Sequence, residues 1–259
     1  MRIARAQAAG GEIVYGIITD EWFQPVAGSP FERGFDTLQP YGQPIALSGV
    51  RLLAPCQPSK IVCVGRNYAE HAAEHGAEVP KEPLIFLKPP SAVVGPNDAI
   101  VLTPLSQQVE HEAELVAVVR VRARHLTRDN ALDCLLGYTC GNDVTARDLQ
   151  RRDGQWSRAK GFDTFCPLGP WIETELDPSD QVVSCQVNGH VRQQASTRDM
   201  VFDMKALLVY VTAVMTLEPG DVLMTGTPSG VSPIRSGDVV DVTVSGVGVL
   251  RNPVQPSVV

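Results

Sequence analysis

Short apolar runs separated by turn residues are the feature that most limits the folds open to this chain. From Lys60 onward these runs are rich in valine, isoleucine and leucine, a composition typical of β-strands. The predicted strands are 61–64, 84–87, 99–102, 115–121, 182–187, 221–225 and 239–244. An Asn188-Gly189 pair between two apolar runs predicts a β-hairpin, because both residue types adopt positive φ readily.

Helical periodicity is much rarer. Over 199–217 apolar residues recur at helical spacing, with Ser196 or Thr197 as candidate caps and Pro219-Gly220 as the stop. A second helix is predicted over 128–136. Strands outnumber helices and do not alternate with them, which predicts a strand-rich α+β fold rather than a repeated βαβ fold.

The first 55 residues differ from the rest of the chain. Two β-like runs, 12–19 and 45–53, are separated by turn-rich segments and carry no cluster of chemically active side chains. We predict a small β-rich N-terminal lobe over 1–55 and a catalytic domain over 56–259. A chain of 259 residues is long enough for this organisation.

The charge balance restricts the partners of the protein. Twenty-nine acidic and 22 basic side chains give a net charge of −7, so no general field attracts nucleic acid or an anionic membrane surface. We expect neither as a partner. An anionic substrate would need a few well-placed lysines and arginines, or a metal ion, to hold it.

Cysteine usage and hydropathy indicate the compartment. The six cysteines are dispersed without a C-x-x-C pair, which is typical of reduced thiols. The N-terminus lacks the apolar segment of a secretory signal, and the longest apolar stretch, 206–215, is too short to span a bilayer. These features favour a cytoplasmic protein.

Three glutamates precede one of the predicted strands. Glu110, Glu112 and Glu114 lead directly into the apolar run 115–119. If the strand begins early, its two-residue period directs all three carboxylates to one face. Adjacent ionised carboxylates repel each other, and Mg²⁺, which prefers oxygen ligands, would supply the counter-charge. A solvated strand end without a metal is the alternative.

Another carboxylate follows a different β-like run. Asp143 stands after 136–140, at a strand end where ligands commonly sit, and it could complete a three-carboxylate metal site. An Asn-Asp pair after a strand is also typical of a turn or a helix cap. The residues alone leave both interpretations open.

The segment 65–75 predicts a glycine turn followed by a short helix. His71 and Glu74 would be neighbours on one face of that helix, where the carboxylate could fix the imidazole tautomer of a general base acting on water. With His75, the same residues also match the H-x-x-E-H pattern of inverted zinc peptidases. An ordinary helix surface is the third interpretation.

Six motifs in sequence order resemble those of the fumarylacetoacetate hydrolase family, over about residues 60–253. They are KIVCVGRNY (60–68), FLKPPS (86–91), EAEL (112–115), GNDVTARD (141–148), KGFDTF (160–165) and GTPSGV (226–231). The resemblance implies a mixed β-roll or barrel-like catalytic domain, often dimeric, with one Mg²⁺ or Mn²⁺ per subunit. A homodimer is therefore expected.

The resemblance also implies roles at matching positions. Glu112, Glu114 and Asp143 match the metal ligands of the family. His71 and Glu74 match the dyad that handles a water molecule or a proton.

The resemblance also places five residues in or near a substrate pocket. Lys160 matches the lysine that faces the bound oxo acid, and Thr227 matches the threonine that touches the substrate carboxylate. Arg66, Lys88 and Gln150 are expected near the pocket as substrate-binding residues.

Three positions depart from the family pattern. Glu110 stands where relatives commonly carry aspartate, and His111 replaces an aromatic residue, so an additional contact from either side chain is open. Gly161 stands where many relatives have serine. The missing hydroxyl puts the substrate range in doubt.

Charge and resemblance together favour a metal-dependent enzyme that stabilises the enolate of a small anionic 2-oxo acid. Hydrolytic carbon–carbon cleavage of an acylpyruvate is the preferred reaction, because both His71 and Glu74 are present. Decarboxylation of oxaloacetate-like acids and isomerisation of hydroxy-dienoic diacids from aromatic degradation stay open. A zinc peptidase and a non-catalytic metal-binding module are the alternatives from other classes.

Overall fold

The computed structural model describes residues 1–32, 38–74 and 76–257. Within those ranges the strands are β1 (Arg2–Gln7), β2 (Ile13–Thr19), β3 (Trp22–Ala27), β4 (Gln39–Pro40), β5 (Ile45–Ala46), β6 (Arg51–Leu53), β7 (Ile61–Gly65), β8 (Leu84–Lys88), β9 (Val93–Val94), β10 (Ile100–Val101), β11 (Val109–Glu110), β12 (Ala113–Val119), β13 (Leu135–Asn142), β14 (Thr145–Ala146), β15 (Cys166–Glu173), β16 (Val182–Val187), β17 (His190–Ser196), β18 (Val222–Met224), β19 (Val239–Val244) and β20 (Gly248–Gln255). The α-helices are α1 (Ala69–Glu74), α2 (Arg147–Asp153), α3 (Ser157–Lys160) and α4 (Met204–Val214).

Most strands belong to one mixed sheet of thirteen strands. Its central order is β4-β3-β2-β1-β15-β13-β12-β18-β7-β8, with β5, β6 and β9 attached to β3, β1 and β15. Neighbours run antiparallel except β18 with β7 and β9 with β15, which are parallel. A second sheet, in the order β10-β20-β19-β16-β17, packs against this one, and β11 pairs with β14.

Strand β12 lies at the centre of this arrangement and is buried on both faces. Leu115 and Ala117 belong to the core shared with the five-stranded sheet and α4, whereas Val116 and Val118 belong to a second core on the other side. Because neither face meets water, the strand appears in the sequence as a continuous apolar run. The acidic residues at its start are therefore carried into the protein interior.

The predicted strand-rich α+β fold class is confirmed. Asn188 and Gly189 also form the predicted turn between β16 and β17, with φ values of +53° and +77°. No helix within the described residues is long and apolar enough to cross a lipid bilayer.

Both helix predictions need correction. Residues 128–136 are not an α-helix: a 3-10 turn over Ala131–Cys134 leads directly into β13. Pairing of β13 with β12 overrides the local helical pattern. The long helix, α4, is shorter than predicted because Asp203 caps it by accepting a hydrogen bond from the Ala206 N–H at 2.7 Å. Ser196 caps a separate 3-10 turn over Thr197–Asp199.

The N-terminal strands join the main sheet through β1. Arg2 stands opposite Glu173 and Ile3 opposite Ile172 in β15. The N-terminal ammonium group also contacts Glu173 Oε1 at 2.8 Å. The division of the chain into units 1–55 and 56–259 stays a prediction.

A buried aspartate joins the starts of two strands that lead toward the site. Asp221, directly before β18, accepts hydrogen bonds from Ser59 N–H at 3.0 Å, Lys60 N–H at 3.1 Å and Glu218 N–H at 2.8 Å, and it pairs with the Lys60 ammonium. Burial alone would raise the pKa of this carboxyl, but the hydrogen bonds from Lys60, Glu218 and Ser59 lower it below its ordinary value.

We predict that Asp221→Asn lowers the free energy of unfolding by roughly 2–3 kcal/mol, because an amide NH₂ would face a backbone N–H in place of an oxygen. A lowered pKa in the folded state stabilises the fold above the unfolded-state value, about pH 4, and this contribution is lost as the pH falls. Urea unfolding at pH 7 and pH 3 should therefore show a smaller pH dependence in the variant.

The exposed Asp129 provides a matched control, since Asp129→Asn removes the same charge at the surface. Equal effects of the two substitutions at pH 7 would contradict the structural role given to Asp221.

Candidate active site and metal centre

Two strand ends bring the predicted metal ligands together. Glu112 and Glu114 flank the first residue of β12, and Asp143 directly follows β13, its antiparallel neighbour. Asp143 N–H donates to the Glu112 carbonyl oxygen at 2.9 Å, and Glu112 N–H donates to Asn142 Oδ1 at 2.9 Å. These bonds fix the two backbones side by side.

The three carboxylates form a compact buried cluster. One oxygen from each of Glu112, Glu114 and Asp143 lies within 4.8 Å of the others, and all three residues are buried. The predicted convergence of these side chains is thus found in the structure. Their role as metal ligands is a proposal.

Lys160 lies between two of the three acids. From the end of α3 its ammonium contacts Glu112 Oε2 at 2.8 Å and Asp143 Oδ2 at 2.7 Å. Burial alone would lower the pKa of this lysine, but the charges of Asp143 and Glu112 raise it above its ordinary value. Lys160 is therefore held as a cation in the site.

Lys88 supports the cluster from behind. Its ammonium donates to Asp143 Oδ1 at 2.5 Å and to the Val144 carbonyl at 3.2 Å, and the side chain is fully buried. It is not among the residues that line the neighbouring pocket. The structure thus gives Lys88 a contact with Asp143, and its role in substrate binding stays a prediction.

Arg147, which the sequence analysis did not single out, is the third buried cation. At the start of α2, its guanidinium donates to Glu110 Oε2 at 2.7 Å, to Gln150 Oε1 at 2.6 Å and to Glu112 Oε1. Burial alone would lower the pKa of Arg147, but Glu112 and Glu110 raise it. The clue in the sequence was its position four residues after Asp143, which places it at the first residue of α2, directly after the short strand β14.

Glu110 does not join the carboxylate cluster. It lies in β11, and the chain breaks from strand geometry before β12 begins at Ala113. The expectation of one continuous strand with three glutamates on one face is therefore wrong. Glu110 instead pairs with Arg147, and so holds a residue that contacts Glu112.

The donor set fits a hard divalent cation. Glu112 and Asp143 each contact two cationic side chains, whereas Glu114 accepts a hydrogen bond from Gly226 N–H at 2.7 Å and contacts no cation among the described residues. Burial and the charges of Asp143 and Glu112 raise the pKa of Glu114 well above its ordinary value. A divalent cation with oxygen ligands would neutralise this carboxylate.

The His71–Glu74 pair lies on α1, as predicted. His71 Nδ1 is 3.4 Å from Glu74 Oε2. Gly230 N–H donates to both oxygens of Glu74, at 3.1 and 3.3 Å, so the loop after β18 holds the carboxylate in place. Since the carboxylate only accepts, Nδ1 carries the proton in this contact. His75, needed for the zinc peptidase pattern, lies outside the described residues.

One pocket of about 330 Å³ connects these groups. Its lining includes eight residues of the candidate site, namely Arg66, His71, Glu112, Asp143, Arg147, Gln150, Lys160 and Thr227. Phe86 and Trp156 contribute an apolar wall, with their rings 5.1 Å apart in an edge-to-face contact. The pocket therefore combines an acidic and cationic end with a flat apolar side.

His111 points away from the carboxylate cluster into a second hydrogen-bond network. Its Nδ1 is 2.9 Å from Gln193 Oε1, and its Nε2 is 2.9 Å from Ser232 Oγ. Burial lowers the pKa of this imidazole. The extra contact that the sequence left open for His111 is thus with Gln193 and Ser232.

Comparison with known proteins identifies related sequences over nearly the whole chain. The model of the fumarylacetoacetate (FAA) hydrolase C-terminal family matches residues 60–255, and the model of the Rv2993c-like N-terminal family matches residues 1–55. The first match contains every residue of the cluster and pocket described above.

Three relatives are informative. A 5-carboxymethyl-2-hydroxymuconate delta-isomerase of Mycobacterium smegmatis is 46% identical, with a TM-score of 0.91 over 99% of this chain and 100% of that one. The mitochondrial oxaloacetate tautomerase fahd2 of Xenopus laevis is 43% identical over 81% of this chain and 70% of its own length. A maleylpyruvate hydrolase of Sphingobium sp. SYK-6, solved with manganese(II) and pyruvate, is 32% identical, with a TM-score of 0.80 over 99% of this chain and 100% of that one.

We predict that Mg²⁺ or Mn²⁺ raises the midpoint of thermal unfolding, by roughly 5–10 °C at a hundredfold excess over the dissociation constant. Glu114→Gln should abolish this shift. In the absence of metal, the variant should be at least as stable as the wild type. Because the pKa of the Glu114 carboxyl is raised in the folded state, ionisation of this carboxyl destabilises the fold as the pH rises. The uncharged amide of the variant removes this effect.

Differential scanning calorimetry with and without metal measures both effects. The exposed Glu82 supplies the control, since Glu82→Gln should keep the full shift. A metal shift that survives Glu114→Gln would place the ion elsewhere.

Proposed function

Because the chain belongs to the fumarylacetoacetate hydrolase family, we propose that it is a divalent-metal-dependent enzyme that forms and protonates the enolate of a 2-oxo acid. The observation that carries the proposal is that Glu112 and Asp143 of the carboxylate cluster line one pocket together with Lys160 and His71. These are the groups needed to bind an anion, stabilise developing negative charge and move a proton.

Glu112, Glu114 and Asp143 would hold Mg²⁺ or Mn²⁺. The bound cation would supply Lewis acidity toward the oxygens of the substrate. Oxygen-only ligands favour these hard ions over zinc, and the manganese in the maleylpyruvate hydrolase relative supports the same choice.

Lys160 would provide a second positive contact for the substrate. Its ammonium is held in the protonated form by Asp143 and Glu112, and it lies at the pocket wall. A charged donor in a partly dry site stabilises an oxygen more strongly as that oxygen gains charge. Lys160 would therefore favour the enolate over the neutral 2-oxo acid.

His71 would move the proton. Glu74 would orient the imidazole through Nδ1, so that Nε2 of the neutral ring serves as the base, and Gly230 in turn holds Glu74. The imidazole could then take a proton from the carbon beside the oxo group and return it to the same or a conjugated carbon.

Proton transfer without carbon–carbon cleavage is the reaction that this arrangement supports best. It needs only His71 and a stabilised enolate, and the oxaloacetate tautomerase and hydroxymuconate isomerase relatives are named for reactions of this type. Hydrolysis of an acylpyruvate, the reaction preferred from the sequence, is the second candidate, because a base oriented by Glu74 could also activate water.

The charges in the pocket favour a substrate with two carboxylates. Arg66 and Arg151 also line it, beyond the groups that contact the carboxylate cluster. Arg66 has no hydrogen-bond or ion-pair partner within the described parts of the chain, and its backbone adopts φ +58°. A second carboxylate on the substrate would pair with this guanidinium.

We predict that His71→Gln lowers kcat by roughly 10²–10⁴-fold on oxaloacetate or a hydroxymuconate-like diacid while keeping the metal-induced thermal shift. Activity is read by loss of enol absorbance, and CO₂ release and acylpyruvate turnover are measured in parallel. The exposed His190 gives the control variant His190→Gln. Unchanged activity in His71→Gln would contradict the proposal.

The alternatives from other classes make different predictions in the same assays. A zinc peptidase predicts that His75→Ala removes metal binding, whereas the proposed enzyme keeps it. A non-catalytic metal-binding module predicts no turnover of any substrate of the panel with metal at saturation.

We also predict that Arg66→Gln raises KM for the diacid by about tenfold and changes KM for an acylpyruvate without a distal carboxylate by less than twofold. Steady-state kinetics on the two substrates measure the difference. Arg152→Gln, which removes a guanidinium paired with Asp153 outside the pocket, is the control. Equal changes for both substrates would mean that Arg66 does not select the second carboxylate.

A further inference from the structure

Gln193 contacts two neighbouring parts of the site from outside the main sheet. It lies in β17 of the five-stranded sheet, is 1% exposed, and reaches both the start of β12 and the loop after β18. We infer that Gln193 is a positioning residue. It holds Thr227, which lines the pocket, at a fixed distance from the start of β12, where Glu112 and Glu114 flank Ala113. This inference rests on the proposed function.

Four hydrogen bonds saturate the Gln193 amide and fix its orientation. Its Oε1 accepts from Ala113 N–H at 3.0 Å and from His111 Nδ1 at 2.9 Å. Its Nε2 donates to Thr227 Oγ1 and to the Pro228 carbonyl, both at 2.7 Å. Because a backbone N–H can only donate and a carbonyl can only accept, Ala113 and Pro228 exclude the flipped amide.

The fixed amide sets the direction of every neighbouring hydrogen bond. His111 must donate from Nδ1, so its Nε2 accepts from the Ser232 hydroxyl. The Thr227 hydroxyl accepts from Gln193 and donates to the Ala113 carbonyl at 2.9 Å. Ala113, Gln193 and Thr227 thus form a closed ring of hydrogen bonds, which restricts Thr227 to one arrangement.

A β-bulge directs Gln193 toward the site. Cys185 pairs with Gln193 and Gln186 pairs with Val191, so Arg192 is an extra residue in β17. Val191 and Arg192 are both exposed, and the bulge turns the next side chain inward.

The pocket loop packs against this bulge. A side chain at Gly230, whose φ is +97°, would lie 2.0 Å from the Arg192 carbonyl oxygen. Only glycine allows this close approach. Since Gly230 N–H also donates to Glu74, the bulge positions the loop that holds the dyad as well as Thr227.

Ala113 gives the network its functional importance. It is the single residue between Glu112 and Glu114, and both of its backbone groups bond to members of the ring. A change at Gln193 would therefore shift the spacing between the carboxylate cluster and Thr227. The expected consequence is weaker binding of an oxo acid that must contact both.

The test compares Gln193→Met, which keeps the size of the side chain without its hydrogen bonds, with Gln194→Met, the same substitution at the exposed neighbour. Calorimetric titration of Mn²⁺-loaded protein with oxalate, an unreactive planar dianion that resembles the enolate, measures binding without turnover. We expect Gln193→Met to weaken oxalate binding about tenfold or more, and Gln194→Met to leave it within twofold of the wild type.

A Thr227→Val background separates positioning from general stability. With the hydroxyl absent, adding Gln193→Met should weaken oxalate binding by no more than about threefold, because the two residues act through one ring. An oxalate affinity within twofold of the wild type in Gln193→Met, or a full tenfold loss in the Thr227→Val background, would overturn the inference.

The failure of the proposed function would be visible in a different measurement. If Mn²⁺-loaded wild type binds no oxalate, the proposed function fails. The positioning role of Gln193 is then tested by the Mn²⁺ affinities of the two variants. Weakening of Mn²⁺ binding by threefold or more in Gln193→Met, but not in Gln194→Met, would support the positioning role. Equal Mn²⁺ affinities would overturn it.

Discussion

The burial of four carboxylates beside three cationic side chains is the constraint on which the rest of the site depends. An unpaired buried carboxylate costs several kcal/mol, yet Glu110, Glu112, Glu114 and Asp143 are all buried. Lys160, Lys88 and Arg147 neutralise three of these acids by direct contact. Glu114 is left without a cation among the described residues, and this is the carboxylate that the proposed divalent ion would neutralise.

The order of the central strands explains how this cluster comes to border a pocket. β13, β12, β18 and β7 are neighbours in the sheet. For each strand, the segment just before or just after it supplies a residue of the site. The end of β13 gives Asp143, the start of β12 gives Glu112 and Glu114, and the loop after β18 gives Thr227. α1, which follows β7, brings His71 to the same opening.

The sequence predicted the parts of the site whose signals are local or belong to a family motif. The three carboxylates, Lys160 and the His71–Glu74 pair lie where their motifs indicated. Lys88 contacts Asp143 rather than lining the pocket, because strand β8 carries it beneath the cluster. The roles of Arg147 and Gln193 could not be predicted, since each depends on contacts between elements far apart in the chain. For the same reason, pairing between β12 and β13 replaced the helix expected over 128–136.

The central claim is that Glu112, Glu114 and Asp143 together hold one divalent cation. Anomalous diffraction from crystals soaked in Mn²⁺ tests it most directly. We expect one strong anomalous peak within bonding distance of a carboxylate oxygen from each of the three residues. A peak bound by histidines elsewhere, or none between these carboxylates at saturating Mn²⁺, would contradict it.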